Sequence, residues 1–188
     1  MGVMLPGPFH WTDWVHVIVS TYGSWLPGDP RGFRDHDHRI HSSGDYKSPI
    51  LVGEHAGLLR SAQSRVGEPV VIAEDLRPVI AELLVMKLER EEVSVRVLAL
   101  SRMHGHVLCR VGGRDAKPII GRAKQFASHR VRSRLPGRIW SQGCHAVRVR
   151  GEEHYAQVVR YIHEHEAEGA AVWVHLKYRG EAIRKSGL

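Results

Sequence analysis

This sequence has little cysteine, no long apolar run and no leader-like start. Its 188 residues include two cysteines, Cys109 and Cys144, which form no CxxC pair and are too few for a disulfide framework. No apolar run approaches the roughly 18–20 residues that a membrane span needs. The first residues, MGVMLPGPFHW, show no basic region followed by an apolar one. We therefore expect no membrane partner and a cytoplasmic location.

Acidic residues are almost absent from one segment of the chain. Residues 114–150 contain ten lysines and arginines against the single acid Asp115, whereas the whole chain has 27 against 20. A solvated helix face normally mixes the two signs, so this asymmetry points to a polyanionic partner. Arginine dominates the segment, and its planar guanidinium binds phosphate through two parallel hydrogen bonds. The segment therefore predicts contact with nucleic acid.

Strand and helix patterns alternate along the chain. Helical spacing predicts helices over 75–91, where Asp75 is a plausible N-cap, over 116–134, and over 152–168 with an end at Gly169. A weaker helical pattern covers 55–64. Apolar, β-rich stretches predict strands at 14–21, at 93–103, and at HVLCRV, RIW, HAVRVR and VWVHLKY.

The connections between these elements indicate the fold class. The strands within 93–111 are joined too closely to run parallel. We therefore predict an α+β fold, an antiparallel sheet with packed helices and a ferredoxin-like core, in one domain over residues 1–188. Residues 23–50 are rich in Gly, Pro, Asp and Ser and are predicted to be a long inserted loop near the N-terminus.

Histidine is abundant and forms three H-x-H pairs. Fourteen histidines in 188 residues give about one such pair by chance, so the motif alone says little. His104 and His106 lie in a predicted strand, where residues two apart face the same way and can share an ion. His163 and His165 lie in a predicted helix, where residues two apart point to opposite sides. The loop pair, His36 and His38, has no geometry that the sequence fixes.

The last predicted helix carries a tyrosine beside a histidine. Its apolar positions centre on Tyr155, Val158 and Ile162, so Tyr155 is predicted to point into the core. Tyr161 and His165 are four residues apart, and both fall at the edge of that face. A tyrosine and a histidine at such an edge usually serve packing. The pattern alone therefore leaves a packing role and a catalytic role open.

The order of several motifs resembles that of a known family. The chain has LALSRMHGHVLCRV, then AKQFASHRV, then RIWSQGCH and then RYIHEHEAEGA. The single-tyrosine HUH transposases, and above all the REP-associated tyrosine transposases, have a strand with His-hydrophobe-His and a helix with Lys–Gln–Phe. A Trp–Gln turn and Tyr–Ile–x–x–Asn–Pro follow in that family. The opening strand WVHVIVSTYGSW is also similar, so the resemblance covers roughly residues 14–22 and 75–170.

The resemblance implies an enzyme that cleaves and rejoins single-stranded or hairpin DNA. By position, His104, His106 and His165 correspond to the ligands of a divalent ion, Mg²⁺ or Mn²⁺. Tyr161 corresponds to the nucleophile, which would form a 5′-phosphotyrosine and release a 3′-hydroxyl. Residues in and around the second predicted helix would contact the DNA: Arg114, Lys117, Arg122, Lys124, Gln125, Arg130, Arg132 and Arg134. Four residues of the inserted loop are a further hypothesis for gripping bases: Trp25, Arg31, Phe33 and Arg34.

The chain departs from the family pattern at two places. Gly105 replaces a bulky residue between the paired histidines, which predicts a strand that is less well anchored in the core. His165 and Glu166 stand where the family has Asn–Pro. An all-histidine site favours Mn²⁺ or another transition metal over Mg²⁺, because imidazole suits such ions.

Two other functions stay open at this level. One is an inactive DNA-binding protein of the same fold, and the other is a small module that a zinc ion stabilises. Cys109 is not expected to join such a zinc site, because it lies three residues after His106 on a strand and faces the other way. A monomer and a homodimer are equally compatible with the sequence.

Overall fold

A five-stranded antiparallel sheet forms the centre of the protein. The computed structural model describes residues 10–30, 33–35, 38–39, 51 and 53–178. The strands are β1 (Trp14–Ser20), β2 (Arg34–Asp35), β3 (His38–Arg39), β4 (Ser94–Leu100), β5 (His104–Arg110), β6 (His145–Arg148) and β7 (Ala171–Val174). The sheet has the order β6-β1-β5-β4-β7, and β2 pairs with β3 as a separate two-stranded ribbon.

Four α-helices accompany the sheet. They are α1 (Ala56–Val66), α2 (Leu76–Arg90), α3 (Ala116–Val131) and α4 (Glu152–Glu164). The predicted α+β class, with an antiparallel sheet and packed helices, is confirmed. No helix in the described part of the chain is long and apolar enough to cross a membrane. The prediction of a single domain over residues 1–188 stays a prediction.

The two faces of the sheet are covered by different helices. Helices α2 and α3 pack on one face, here called the α2/α3 face, against side chains such as Val17, Leu98 and Cys109. Helix α4 packs on the other, the α4 face, where Val158 and Ile162 meet residues of the strands. Each large aliphatic side chain that is fully buried in these layers contributes about 1.5–3 kcal/mol. Because successive side chains of a strand point to opposite faces, neighbouring residues of one strand face different helices.

The helix boundaries follow the predictions with two refinements. Helix α4 tightens into a 3-10 turn over His165–Glu168, and Gly169 ends it in the left-handed region with φ of 80°, as its predicted end requires. Asp75 occupies the predicted N-cap position of α2, but its backbone is helical and its side chain makes no capping hydrogen bond. The Asp75 carboxylate instead pairs with Arg134 at the end of α3. That partner lies 59 residues away, beyond the reach of a local pattern.

Gly105 is tightly enclosed, which corrects the prediction of a poorly anchored strand. A Cβ atom built on it would lie 3.0 Å from Cδ1 of Leu100 and 3.1 Å from the carbonyl oxygen of Ala99. Val19 on β1 closes the third side, with its Cγ2 atom 3.4 Å from that position. The side chains of Leu100 and Val19 fill the volume that a bulkier residue at position 105 would need. Strand β5 therefore lies close against both β1 and β4.

The inserted loop is described in part. Phe33 is buried and its ring packs edge-on to His55 at 5.2 Å, so it is a core residue and not a ring presented to bases. Trp25 is half exposed. Gly28 has φ of 89° and approaches α1 so closely that an added Cβ would lie 2.5 Å from the Leu59 nitrogen. The side chains of Arg31, Arg34, His36 and His38 lie outside the described part of the structure.

Candidate metal centre and its tyrosine

Three histidines converge on the α4 face of the sheet. His104 and His106 lie on β5, and their two-residue spacing points both rings to the same side. His165 follows the last residue of α4 and reaches the same place from above the sheet. One ring nitrogen from each of the three lies within 4.8 Å of the other two. His106 and His165 are buried and His104 is half buried, so the cluster has one open side.

The ring of His165 is held by a hydrogen bond on its outer nitrogen. Its Nδ1 atom lies 3.1 Å from Oε2 of Glu168, one turn further along the chain. Its Nε2 atom is buried and has no hydrogen-bond partner within the described part of the structure. An unsatisfied buried nitrogen is costly, and a divalent cation between the three rings would satisfy it. The donor set therefore fits a metal ion.

His106 is held in a similar way by a fourth histidine. Its Nδ1 atom lies 3.1 Å from Nε2 of His16 on β1. Burial, with the nearby rings of His165, His16 and His104, lowers the pKa of His106 to about 3. The pKa of His16 is lowered to about 4, mainly by burial. Both rings are therefore neutral near pH 7, which is the form in which imidazole binds metals.

Tyr161 stands beside the cluster and is accessible. Its ring centroid lies 5.1 Å from that of His106 and 4.9 Å from that of His165. The side chain is 45% exposed, so a ligand can approach it from solvent. Tyr155, on the same helix, instead packs against Trp11 and Trp14 with centroids 5.4 and 5.2 Å apart. The helix thus separates a packing tyrosine from one at a site, in agreement with its apolar pattern.

The other candidate ligands lie apart from this cluster. His163 points away from His165, as helical geometry requires. Its pKa is lowered, mainly by burial and then by the positive charge of Arg96. The Cys109 thiol is buried in the α2/α3 core, and burial raises its pKa to about 12. A thiol that stays protonated on the opposite face is not a ligand for this site.

The basic residues lie on the other side of the sheet from Tyr161. Helix α3 packs on the α2/α3 face, whereas the tyrosine and the histidines lie on the α4 face. Arg122 pairs with Glu91, and Arg134 pairs with Asp75. An open groove of about 690 Å³ runs between α2 and α3, lined by Lys87, Arg122, Gln125, Phe126, His129 and Arg130. The remaining predicted contacts of this segment, Lys117 and Arg132, are exposed.

Two of the predicted DNA contacts have structural partners instead. The Lys124 ammonium is buried and donates hydrogen bonds to the carbonyl oxygens of Ser141 and Gly143 at 2.7 and 2.6 Å. Arg114 donates to the carbonyl oxygens of Glu91 and Glu92, near the end of α2. Lys124 is not presented to a ligand, because its charged end lies inside the turn that it holds. The prediction for Lys124 is corrected on this physical ground.

Sequence reasoning did not identify His16 or Glu168. Both hold ligand candidates through a single hydrogen bond. His16 interrupts the apolar strand WVHVIVS, and that polar residue in a buried strand was the available signal. The sequence does not say which strands are neighbours, so a contact across 90 residues could not be inferred.

Comparison with known proteins adds no family to this description. No protein-family model matches the chain, and no curated protein or solved structure matches it. The resemblance to the HUH transposases therefore depends on the motifs of the sequence. The structure adds an α+β fold with an antiparallel sheet and a cluster of three histidines that can hold a metal ion.

Proposed function

We propose that this chain is a metal-dependent enzyme that cleaves and rejoins single-stranded or hairpin DNA through Tyr161. One observation carries the proposal: an exposed tyrosine ring lies about 5 Å from the rings of two of three convergent histidines. The motif order that resembles the single-tyrosine HUH transposases supports it. The substrate and the reaction are parts of the proposal.

The three histidines would hold the ion. His104, His106 and His165 each offer one ring nitrogen, and His104 is only half buried, so a phosphate oxygen would approach the ion from its side. A bound Mn²⁺ or Mg²⁺ would polarise the scissile phosphate and offset its developing negative charge. Because all three ligands are imidazoles, Mn²⁺ suits the site better than Mg²⁺.

Tyr161 would act as the nucleophile. Its hydroxyl loses a proton and its oxygen attacks the phosphorus atom, while the bond from phosphorus to the 3′-oxygen breaks. The products are a 5′-phosphotyrosine and a 3′-hydroxyl that has taken up a proton. The bond energy is kept in the protein–DNA ester, so a second 3′-hydroxyl can reverse the step and join a new strand.

The DNA would be held by exposed side chains, most of them cationic, on and just after α3. The proposal keeps Lys117, Arg122, Gln125, Arg130, Arg132 and Arg134 as contacts to the phosphate backbone. Lys124 is left out because its ammonium is buried. Arg114 is left out because carbonyl oxygens engage its guanidinium.

The decisive experiment looks for a covalent protein–DNA adduct. The protein is incubated with labelled hairpin DNA that has single-stranded flanks, with Mn²⁺ or Mg²⁺, and resolved on a denaturing gel. Wild type and Tyr155→Phe are expected to form the adduct, and Tyr161→Phe is expected to form none. Equal adduct from wild type and Tyr161→Phe would reject Tyr161 as the nucleophile.

A zinc-stabilised module is the second candidate, and the buried Nε2 atom of His165 favours it as much as it favours a catalytic ion. The two functions differ in what removal of the ion does. A structural ion supplies folding energy, so a chelator unfolds the protein. Removal of a catalytic ion leaves the fold in place. The chelator then stops adduct formation but does not change the far-ultraviolet circular dichroism spectrum.

A further inference from the structure

His16 is in contact with the candidate metal centre without being one of its ligands. It lies on β1 opposite Leu108 of β5, and this register brings its ring beside that of His106. The two ring centroids are 5.3 Å apart, and Nε2 of His16 lies 3.1 Å from Nδ1 of His106. Within the described residues, the group that can hold an ion contains His104, His106 and His165. Its contact with the three candidate ligands is the hydrogen bond to His106.

The hydrogen bond between the two rings has two forms, and only one permits metal binding. If His16 donates from Nε2, then Nδ1 of His106 accepts and the neutral His106 ring carries its proton on Nε2. That nitrogen then has no lone pair to offer. If His106 donates from Nδ1, then His16 accepts on Nε2, and Nε2 of His106 is free to bind an ion.

We propose that His16 is a positioning residue that accepts a hydrogen bond from Nδ1 of His106 and so fixes the tautomer of His106 that binds the metal. The inference rests on the proposed metal centre and deepens it. Glu168 provides the same support for His165, because its carboxylate can only accept from Nδ1 of that ring. Two of the three ligands are thus oriented by acceptors from different elements, a strand and the 3-10 turn.

The choice of an imidazole acceptor has a chemical consequence. A carboxylate beside His106 would add negative charge next to the ion, whereas a neutral imidazole adds none. The ion then keeps more of its positive charge for an anionic ligand, which suits a site that binds phosphate.

The test compares acceptors of different kinds at position 16. Binding of Co²⁺ is measured from its visible absorption and by competition with a chromophoric chelator. His16→Leu removes the acceptor and is expected to weaken Co²⁺ binding about 10–100-fold. His16→Gln restores an acceptor and is expected to recover most of that loss. His129→Ala, which removes an exposed histidine of α3 on the α2/α3 face, is the control and is expected to bind as wild type does.

The outcomes separate this inference from the proposed metal centre. Absence of Co²⁺ binding by the wild type rejects the metal centre itself. Binding by the wild type with equal affinity in His16→Leu rejects the role of His16 and leaves the centre intact. Should His16→Leu fail to fold, ¹⁵N spectra of the histidine rings in the wild type give a second answer. In the metal-free protein, a His106 proton on Nδ1 is expected, and one on Nε2 overturns the inference.

Discussion

A buried lysine on one face of the sheet and a buried histidine on the other differ in whether their polar atoms have partners. On the α2/α3 face, the buried Lys124 ammonium has two carbonyl partners, and exposed arginines pair with Glu91 and Asp75. On the α4 face, the buried His165 keeps one nitrogen without a partner in the described structure. A satisfied buried group holds the fold together, whereas an unsatisfied one is kept at a cost that a ligand can repay. The difference favours His165, and not Lys124, as a group that a ligand would engage.

The largest effect on stability is expected from removing the buried ammonium of Lys124. Lys124→Met removes the ammonium that donates to the carbonyl oxygens of Ser141 and Gly143, so the free energy of unfolding should fall by about 2–4 kcal/mol. Urea unfolding followed by circular dichroism measures it. The control Lys117→Met lies on the exposed side of the same helix and should change the value by less than about 0.5 kcal/mol. Equal values for both variants would contradict a structural role for Lys124.

The next effect concerns the unsatisfied nitrogen. His165→Ala should weaken divalent-ion binding by at least about 100-fold, since a ligand contributes more than the groups that orient it. Without metal, this variant should unfold at about the same temperature as wild type, because the orphaned nitrogen is gone with the ring. Ion at 100 times its dissociation constant should stabilise the wild type by about 2.7 kcal/mol. Differential scanning fluorimetry with and without Mn²⁺ measures both quantities.

The matched control for that experiment is His163→Ala, which removes a histidine of the same helix that lies outside the cluster. It should retain the ion-dependent rise in melting temperature. If His163→Ala and His165→Ala lose the rise equally, the assignment of His165 as a ligand is contradicted.

A smaller effect is expected where the two faces meet, at Gly105. Its backbone carries His104 and His106 on one side and packs against Leu100 on the other. Gly105→Ala should lower the free energy of unfolding by about 1–2 kcal/mol through crowding. Gly113→Ala has open space around it and should be close to neutral. A Gly105→Ala protein as stable as wild type would show that this strand has room for the bulky residue of the resembling family.

The smallest effect is the dependence of stability on pH. Burial lowers the pKa of His106 to about 3 and that of His16 to about 4, well below the ordinary value of an imidazole. Between these values and the ordinary one, the unfolded chain therefore binds more protons than the folded chain. Stability should therefore fall as pH falls from 7 towards 4, by about 1–2 kcal/mol at pH 5 once the partial exposure of His16 is allowed for. Urea unfolding with a chelator at pH 7 and pH 5 measures the change. His106→Gln should reduce it, and an unchanged pH dependence in that variant would contradict the assignment.

Local patterns were enough for the elements and for part of the site. The helix predicted over 75–91 is observed as Leu76–Arg90, and the strand over 14–21 as Trp14–Ser20. Period-two alternation also predicted that His104 and His106 share a face and that Cys109 does not. These features depend only on residues close in sequence, which is why a pattern can give them.

Contacts between distant elements could not be predicted in this way. The sequence does not say that α3 packs on the face opposite Tyr161, because both helices are amphipathic and either face would bury them. The partner of Asp75 is 59 residues away, and that of His16 is 90 residues away. Lys124 looked like one more cation in a basic segment, although its burial in a turn reverses its role. Each of these contacts depends on how distant elements pack together, which no local pattern contains.

The position of His165 directly after α4 has an electrostatic consequence. The backbone carbonyls at the end of a helix carry about half a negative charge, and α4 ends at Glu164. This end favours a cation and disfavours a bare phosphate, each by about 0.3–1 kcal/mol. Under the proposed function, the helix dipole would set an order of binding: the ion would come first, and its charge would turn a surface that repels phosphate into one that attracts it.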